Sequence, residues 1–157
     1  MTQADRATAF AALHERGNPL VLFNIWDAGS AQAVVKAGAP AVATGSWSVA
    51  GAMGYPDGEG LPLDLLLRIA ERIAATAGVP LTVDFEGGYA MEPGPLAENI
   101  AALIATGAIG LNFEDQVVGG EGLHGIETQV ARIRAVRAAA EAAGVPLFIN
   151  ARTDLFL

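Results

Sequence analysis

Five short apolar runs, none alternating cleanly with polar residues, limit what this chain can fold into. They are Pro19–Ile25, Ala41–Thr44, Pro80–Phe85, Ala108–Phe113 and Pro146–Ala151. A strand with one wet face alternates. A continuous run reads as a strand covered on both faces, as in a parallel sheet. Helical stretches lie between the runs, at about Ser30–Ala37, Pro62–Thr76, Pro95–Thr106 and Glu127–Ala143, and an extra N-terminal helix is expected at about Gln3–Arg16. Gly38, Gly78, Gly107 and Gly144 follow four of these stretches, where a glycine supplies a left-handed helix cap. The resulting order, strand, helix, glycine, strand, predicts an α/β fold with a parallel sheet.

Two architectures accommodate five such units. One is a doubly wound five-stranded sheet. The other is a (β/α)8 TIM barrel, which usually needs about 250 residues. The sequence stops at Leu157, just after the fifth apolar run, with no helix to cover that strand. The expectation is therefore a single α/β domain over residues 1–157: the N-terminal helix and about the first five units of a TIM barrel. An open sheet has two unpaired edges. On that ground the chain is expected to form a homo-oligomer, to meet a further segment, or to aggregate. Whether the 157 residues are active alone stays open at this level.

Composition narrows the partners. Seventeen acidic against nine basic residues give a net charge of −8, which argues against nucleic acid or an anionic membrane surface. An anionic substrate would need a local cation. The absence of cysteine excludes disulfides, thiolate zinc sites, iron–sulfur clusters and a cysteine nucleophile within these residues. Lys36 is the single lysine and falls on a helix, so Schiff-base chemistry is not expected. The polar, amphipathic N-terminus does not resemble a signal peptide, and no apolar run approaches the ~20 residues of a membrane span. A cytoplasmic protein is the expectation.

Active sites of barrels and open α/β sheets lie at the C-terminal ends of the strands. Here those ends read Asn24-Ile25-Trp26-Asp27, Thr44-Gly45-Ser46, Asp84-Phe85-Glu86-Gly87-Gly88-Tyr89, Asn112-Phe113-Glu114-Asp115 and Asn150-Ala151-Arg152-Thr153-Asp154. Each turns polar where the strand body is apolar. Buried carboxylates cost several kcal/mol each unless paired or bound to metal. Positions i and i+2 share a strand face, so Asp84 points with Glu86, and Asn112 with Glu114. A carboxylate cluster with only two histidines in the chain favours Mg²⁺, or Mn²⁺, over zinc. Arg152 is the one arginine at a strand end and suits a substrate carboxylate or phosphonate. The backbone of Gly45-Ser46-Trp47 is a second candidate anion site. The long Gly45–Leu61 connection, which carries Asp57, and the glycine-rich Gln116–Ile126 segment are further candidate functional loops.

Plainer roles compete for several residues. Asp27 suits a helix cap as well as a site, Asp115 a structural hydrogen bond, Asp154 a pairing with Arg152, and Asp64 a helix first turn. His14 reads as a surface residue, and His124 as a loop residue able to approach substrate. Trp26 and Trp47 suit packing or recognition equally.

Five segments together resemble the isocitrate lyase / phosphoenolpyruvate mutase superfamily: NIWDAGS (Asn24–Ser30), AVATGSWSVAGAMGYPDGE (Ala41–Glu59), VDFEGGY (Val83–Tyr89), GLNFEDQ (Gly110–Gln116) and NARTD (Asn150–Asp154). The second is similar to that family's second strand and gating loop. The resemblance implies Asp84 as the main metal ligand, with Glu86, Glu114 and Asp57 holding metal-bound waters or completing the site. It implies Gly45, Ser46 and Trp47 at a substrate carboxylate and Arg152 at the substrate's far end. The implied activity is that of a lyase, mutase or hydrolase acting on a small 2-oxo or 2-hydroxy acid through a metal-stabilised enolate. The family's lyases carry K-[KR]-C-G-H after the fourth strand. The segment here, QVVGGEGLHG, has neither lysine nor cysteine. A non-catalytic, receiver-like doubly wound domain is the competing reading. Asp27 and Asp84 partly suit it, but Arg152 stands where it would need a lysine.

Overall fold

The computed structural model describes residues 1–156. It contains β1 (Asn24–Ile25), β2 (Val42–Thr44), β3 (Leu81–Asp84), β4 (Gly110–Glu114) and β5 (Phe148–Arg152). The helices are α1 (Gln3–Ala12), α2 (Ala28–Lys36), α3 (Ser46–Ala52), α4 (Leu63–Ala77), α5 (Pro93–Ala105) and α6 (Ile126–Ala142). Among the described residues no helix is long and apolar enough to cross a membrane.

All five strands are parallel and lie in the order β1-β2-β3-β4-β5. This order separates the two architectures. Doubly wound sheets reverse direction at a switch point, as in 2-1-3-4-5. Here every crossover advances the same way, and with the right-handed connection that parallel strands adopt this sets the connecting helices in one layer on one face. That layer is continuous, with α2 against α4, α4 against α5 and α5 against α6. The chain thus holds five consecutive units of the barrel pattern. Among the described residues, β1 pairs only with β2 and β5 only with β4.

Register assigns the two faces. Val42 pairs with Leu81, and Leu111 with both Val83 and Ile149, on the helix-covered side. Val42, Val83, Leu111 and Phe113 are fully buried there, each contributing about 1.5–3 kcal/mol. The opposite face carries Asn24, Thr82, Asp84, Asn112, Glu114, Asn150 and Arg152, as their register shows. Helix α1 covers the N-terminal end of that face. Phe10 packs edge-on against Phe148 at 5.2 Å, and Gln3 Nε2 donates to the carbonyls of Ile104 and Ala108.

Three boundaries differ from expectation. The first strand is two residues long, not seven, because β2 offers only Val42–Thr44 to pair with. Residues 19–23 still alternate, with Leu20 and Leu22 half-buried and Val21 and Phe23 exposed, but without sheet partners. Helix α1 stops at Ala12 instead of Arg16, since Gly17 (φ 84°) opens a turn there. The Gly45–Leu61 connection begins with helix α3, whose seven residues contain no heptad-length stripe to announce it.

Candidate active site

Each C-terminal strand end sends a polar group toward one region. A cavity of about 460 Å³ opens there, lined by Asn24 of β1, Trp26 just after it, the Gly45–Ser48 segment, Asp57, Asp84 and Arg152. A larger hollow of about 580 Å³ lies at the opposite pole, around Met1, Leu13 and Pro80, where no carboxylate lines it.

Gly45 is required by close approach. A Cβ there would sit 2.8 Å from Asn24 Nδ2 and 3.1 Å from Ser48 Oγ. It also supplies no capping side chain to α3. The Ser46 N–H donates to Asp84 Oδ2 at 3.0 Å. The predicted anion cradle therefore already holds one carboxylate, from the chain itself. The N–H groups of Trp47 and Ser48, also in the first turn, have no intrahelical acceptor.

Asp84 is anchored through its backbone, which donates to Thr44 Oγ1 at 2.8 Å. Its Oδ1 is buried and has no hydrogen-bond partner among the described residues. Glu86 and Glu114 are each only 6% exposed. Glu86 Oε2 accepts the N–H of Glu59. Glu114 Oε1 lies 2.8 Å from Arg152 Nη1, and Arg152 Nη2 lies 2.8 Å from Asp154 Oδ1. Arg152, expected to face substrate, thus carries two carboxylates of its own chain while still lining the cavity. Asp57 is exposed at the cavity mouth. Among the described residues no three histidine or carboxylate side chains are arranged to grip an ion directly.

The plainer assignments resolve too. Asp27 caps α2 in a reciprocal arrangement with Ser30. Asp115 Oδ1 accepts the Asp154 N–H at 2.9 Å. Asp154 pairs with Arg152, and Asp64 sits in the first turn of α4, 3.5 Å from Arg68. His14 is exposed and stacks on Phe148 at 4.2 Å. His124 donates its N–H to the Asp115 carbonyl and does not line the cavity. Trp26 (43% exposed) and Trp47 (76% exposed) stand at the cavity and not in the core.

Two participants were not anticipated, Glu59 and Arg132. Glu59 Oε1 accepts the Tyr89 N–H at 2.8 Å. Arg132, buried on α6, donates to the carbonyls of Gly87 and Ala90 and to Gln129 Oε1, and Gln129 donates to the Glu114 carbonyl. Glu59 was marked only as the last residue of the Ala41–Glu59 segment, with no role attached. Arg132 carried a signal, standing at i, i+4, i+8 with Val136 and Ala140 on the buried face of α6.

Crowding perturbs the acids. Burial, with the charges of Asp57, Glu59 and Asp84, pushes the Glu86 carboxyl up to about 7 despite the Glu59 N–H bond. Burial and then Asp84 push Glu114 up to about 8, against the pull of Arg152. A raised carboxyl binds its proton more tightly in the folded chain than in the unfolded one. Its stabilising protonation is complete below about 4.5 and is lost as pH climbs through the folded value. The metal-free chain should therefore lose stability between about pH 5 and about pH 9, and Mg²⁺ should flatten that decline by favouring the ionised forms. Urea midpoints across the range check this, and a midpoint that rises with pH contradicts it.

The family model described as phosphoenolpyruvate phosphomutase matches residues 10–157. The 2-methylisocitrate lyase of Escherichia coli (strain K12) is 33% identical over 152 residues, covering 93% of this chain and 51% of that protein. A crystal structure of a candidate phosphonomutase from Burkholderia cenocepacia J2315 superposes with a TM-score of 0.94 at 51% identity, covering 97% of this chain and 62% of that one. Oxaloacetate acetylhydrolase in complex with its product oxalate superposes with a TM-score of 0.83 at 25% identity, covering 97% of this chain and 53% of that one. The chain thus spans roughly half to three-fifths of the length of these relatives. The match runs through every strand end just described, and the chain belongs to the phosphoenolpyruvate mutase family, within the isocitrate lyase / phosphoenolpyruvate mutase superfamily.

Proposed function

We propose that the chain carries the metal and substrate face of an enzyme that breaks a C–C or P–C bond in a small 2-oxo or 2-hydroxy acid. The observation that carries this reading is Asp84. It is a buried carboxylate with one unpaired oxygen, set among Glu86 and Glu114, whose own ionisation it opposes. Such a cluster is costly alone and favourable around a hard cation. Asp84 would hold Mg²⁺ or Mn²⁺ directly, and Asp57, Glu86 and Glu114 would hold its waters. When bound, the ion supplies positive charge to an enolate developing on the substrate.

The chain's own groups do the rest. The free N–H groups of the α3 first turn orient a substrate carboxylate. Arg152 turns toward the substrate's far anion, exchanging part of its pairing with Glu114 and Asp154. Glu114, paired with Arg152, would orient a water beside the reacting atoms. A cysteine-dependent cleavage is not part of this reading, because the chain contains no cysteine. The relatives' names point to the same reaction class, and the oxalate of the acetylhydrolase complex is the natural probe.

Saturating Mg²⁺ with oxalate should raise the thermal midpoint by roughly 5–10 °C, from about 2.7 kcal/mol of ligand linkage at a hundredfold excess over Kd. A midpoint that stays put with both present sinks the reading.

A further inference from the structure

We infer that Glu59 is a positioning residue, which latches the β2–α4 connection, and with it Asp57, onto the turn after β3. The role given to Asp57 rests on the function proposed above; the latch itself does not. Residues 51–58 are all exposed, and the chain is buried again only at Leu61. Nothing in the core therefore fixes Asp57 at the cavity mouth. Two residues later, Glu59 makes a reciprocal pair of bonds with the β3 turn. Its N–H donates to Glu86 Oε2, and its own Oε1 accepts the Tyr89 N–H at 2.8 Å.

The backbone marks the same place. Among the described residues, three non-glycine residues have left-handed φ: Glu59 (58°), Glu86 (50°) and Tyr89 (57°). All three are members of this latch. Each such conformation costs on the order of 1–3 kcal/mol and persists only where its surroundings over-determine it. Gly88 (φ 83°) completes the turn, where a Cβ would meet Leu96 Cδ1 at 2.4 Å. From the far side, Arg132 holds the carbonyls of Gly87 and Ala90. The turn is therefore a fixed platform, and Glu59 is what ties the exposed connection to it.

The test uses the whole chain with Glu59→Ala, Glu59→Gln and Asp57→Ala. Glu59→Ala should speed amide hydrogen exchange about tenfold in residues 54–60, with β3 and β4 unchanged. It should weaken Mg²⁺–oxalate binding roughly tenfold in calorimetric titration. Glu59→Gln keeps an acceptor for the Tyr89 N–H and should restore both. Added to Asp57→Ala, the alanine change should weaken binding no further, because it acts through Asp57. Should Glu59→Ala not fold, Glu59→Asp, too short by one methylene to span the gap, takes its place. Unchanged exchange in residues 54–60, or binding losses that add in the double variant, overturns the inference. A parent chain that binds no Mg²⁺–oxalate refutes the proposed function, while the exchange comparison still decides the latch.

Discussion

Replacing Asp84 with asparagine should leave the unliganded chain at least as stable as the parent and remove its response to Mg²⁺. The substitution is nearly isosteric, and its amide oxygen can accept the Ser46 N–H that Asp84 Oδ2 accepts now. What it takes away is charge. Asp84 raises the proton affinity of both Glu86 and Glu114, so without it both carboxyls ionise more readily and the metal-free cluster repels itself less. The buried, unpartnered Oδ1 becomes a neutral amide NH2, a donor facing an acidic surround. Against this, the carboxylate to which the proposed function gives the ion is gone, and on that proposal affinity should fall about a hundredfold or more. Opposite signs in stability and binding mark a residue kept for function at the expense of the fold. Calorimetric Mg²⁺ titration beside a thermal melt reads both. A variant that melts earlier yet binds Mg²⁺ as the parent does would make Asp84 a structural residue.

The part of this site that the sequence disclosed is the part governed by period and by strand direction. Asp84, Glu86, Glu114 and Arg152 stand out because the strand runs are mainly apolar and charge appears only at their C-terminal ends; β3 and β4 are largely buried, whereas β5 is half-buried to exposed and not covered on both faces. Parity along a strand set Asp84 with Glu86, and Asn112 with Glu114; the register places Asp84, Asn112 and Glu114 on one face, while Glu86 lies beyond β3 in the turn. The expected barrel pattern is borne out by the sheet order, which lacks the reversal that a doubly wound sheet needs.

Other features were hidden for physical reasons. Glu59 works through backbone N–H groups across thirty residues of chain, and no local pattern encodes such a pairing. The left-handed φ of Glu86 and Tyr89 is imposed by tertiary contacts on residues that do not favour it. The shortness of β1 depends on the length of its neighbour, not on its own composition, which is as apolar as that of a full strand. The double role of Arg152 was half visible. Asp154 is near in sequence, whereas the approach of Glu114 requires β4 and β5 to be adjacent.

Arg132→Ala should be the most destabilising single change among the polar residues around the site. The guanidinium is 2% exposed and makes no ion pair among the described residues. Its charge is instead spread over the Gly87 and Ala90 carbonyls, Gln129 Oε1 and the ring of Phe113, 4.9 Å from its Cζ. Burial lowers its proton affinity, which shows what the arrangement costs. Alanine leaves two carbonyls short of a donor, at about 1–3 kcal/mol each, and opens a cavity behind the β3 turn, so the loss should be about 3–5 kcal/mol. For a domain of this size that is roughly 6–20 °C in melting temperature. Two further variants separate the causes. Arg132→Met fills much of the volume without donating, and Arg132→Lys keeps the charge but loses the planar fork that reaches several acceptors at once. If donation to the turn is what matters, methionine should fall close to alanine and lysine between alanine and the parent. A methionine variant as stable as the parent would show that volume alone holds the turn, and the support from α6 to the Glu86–Ala90 segment would then be packing and not hydrogen bonding.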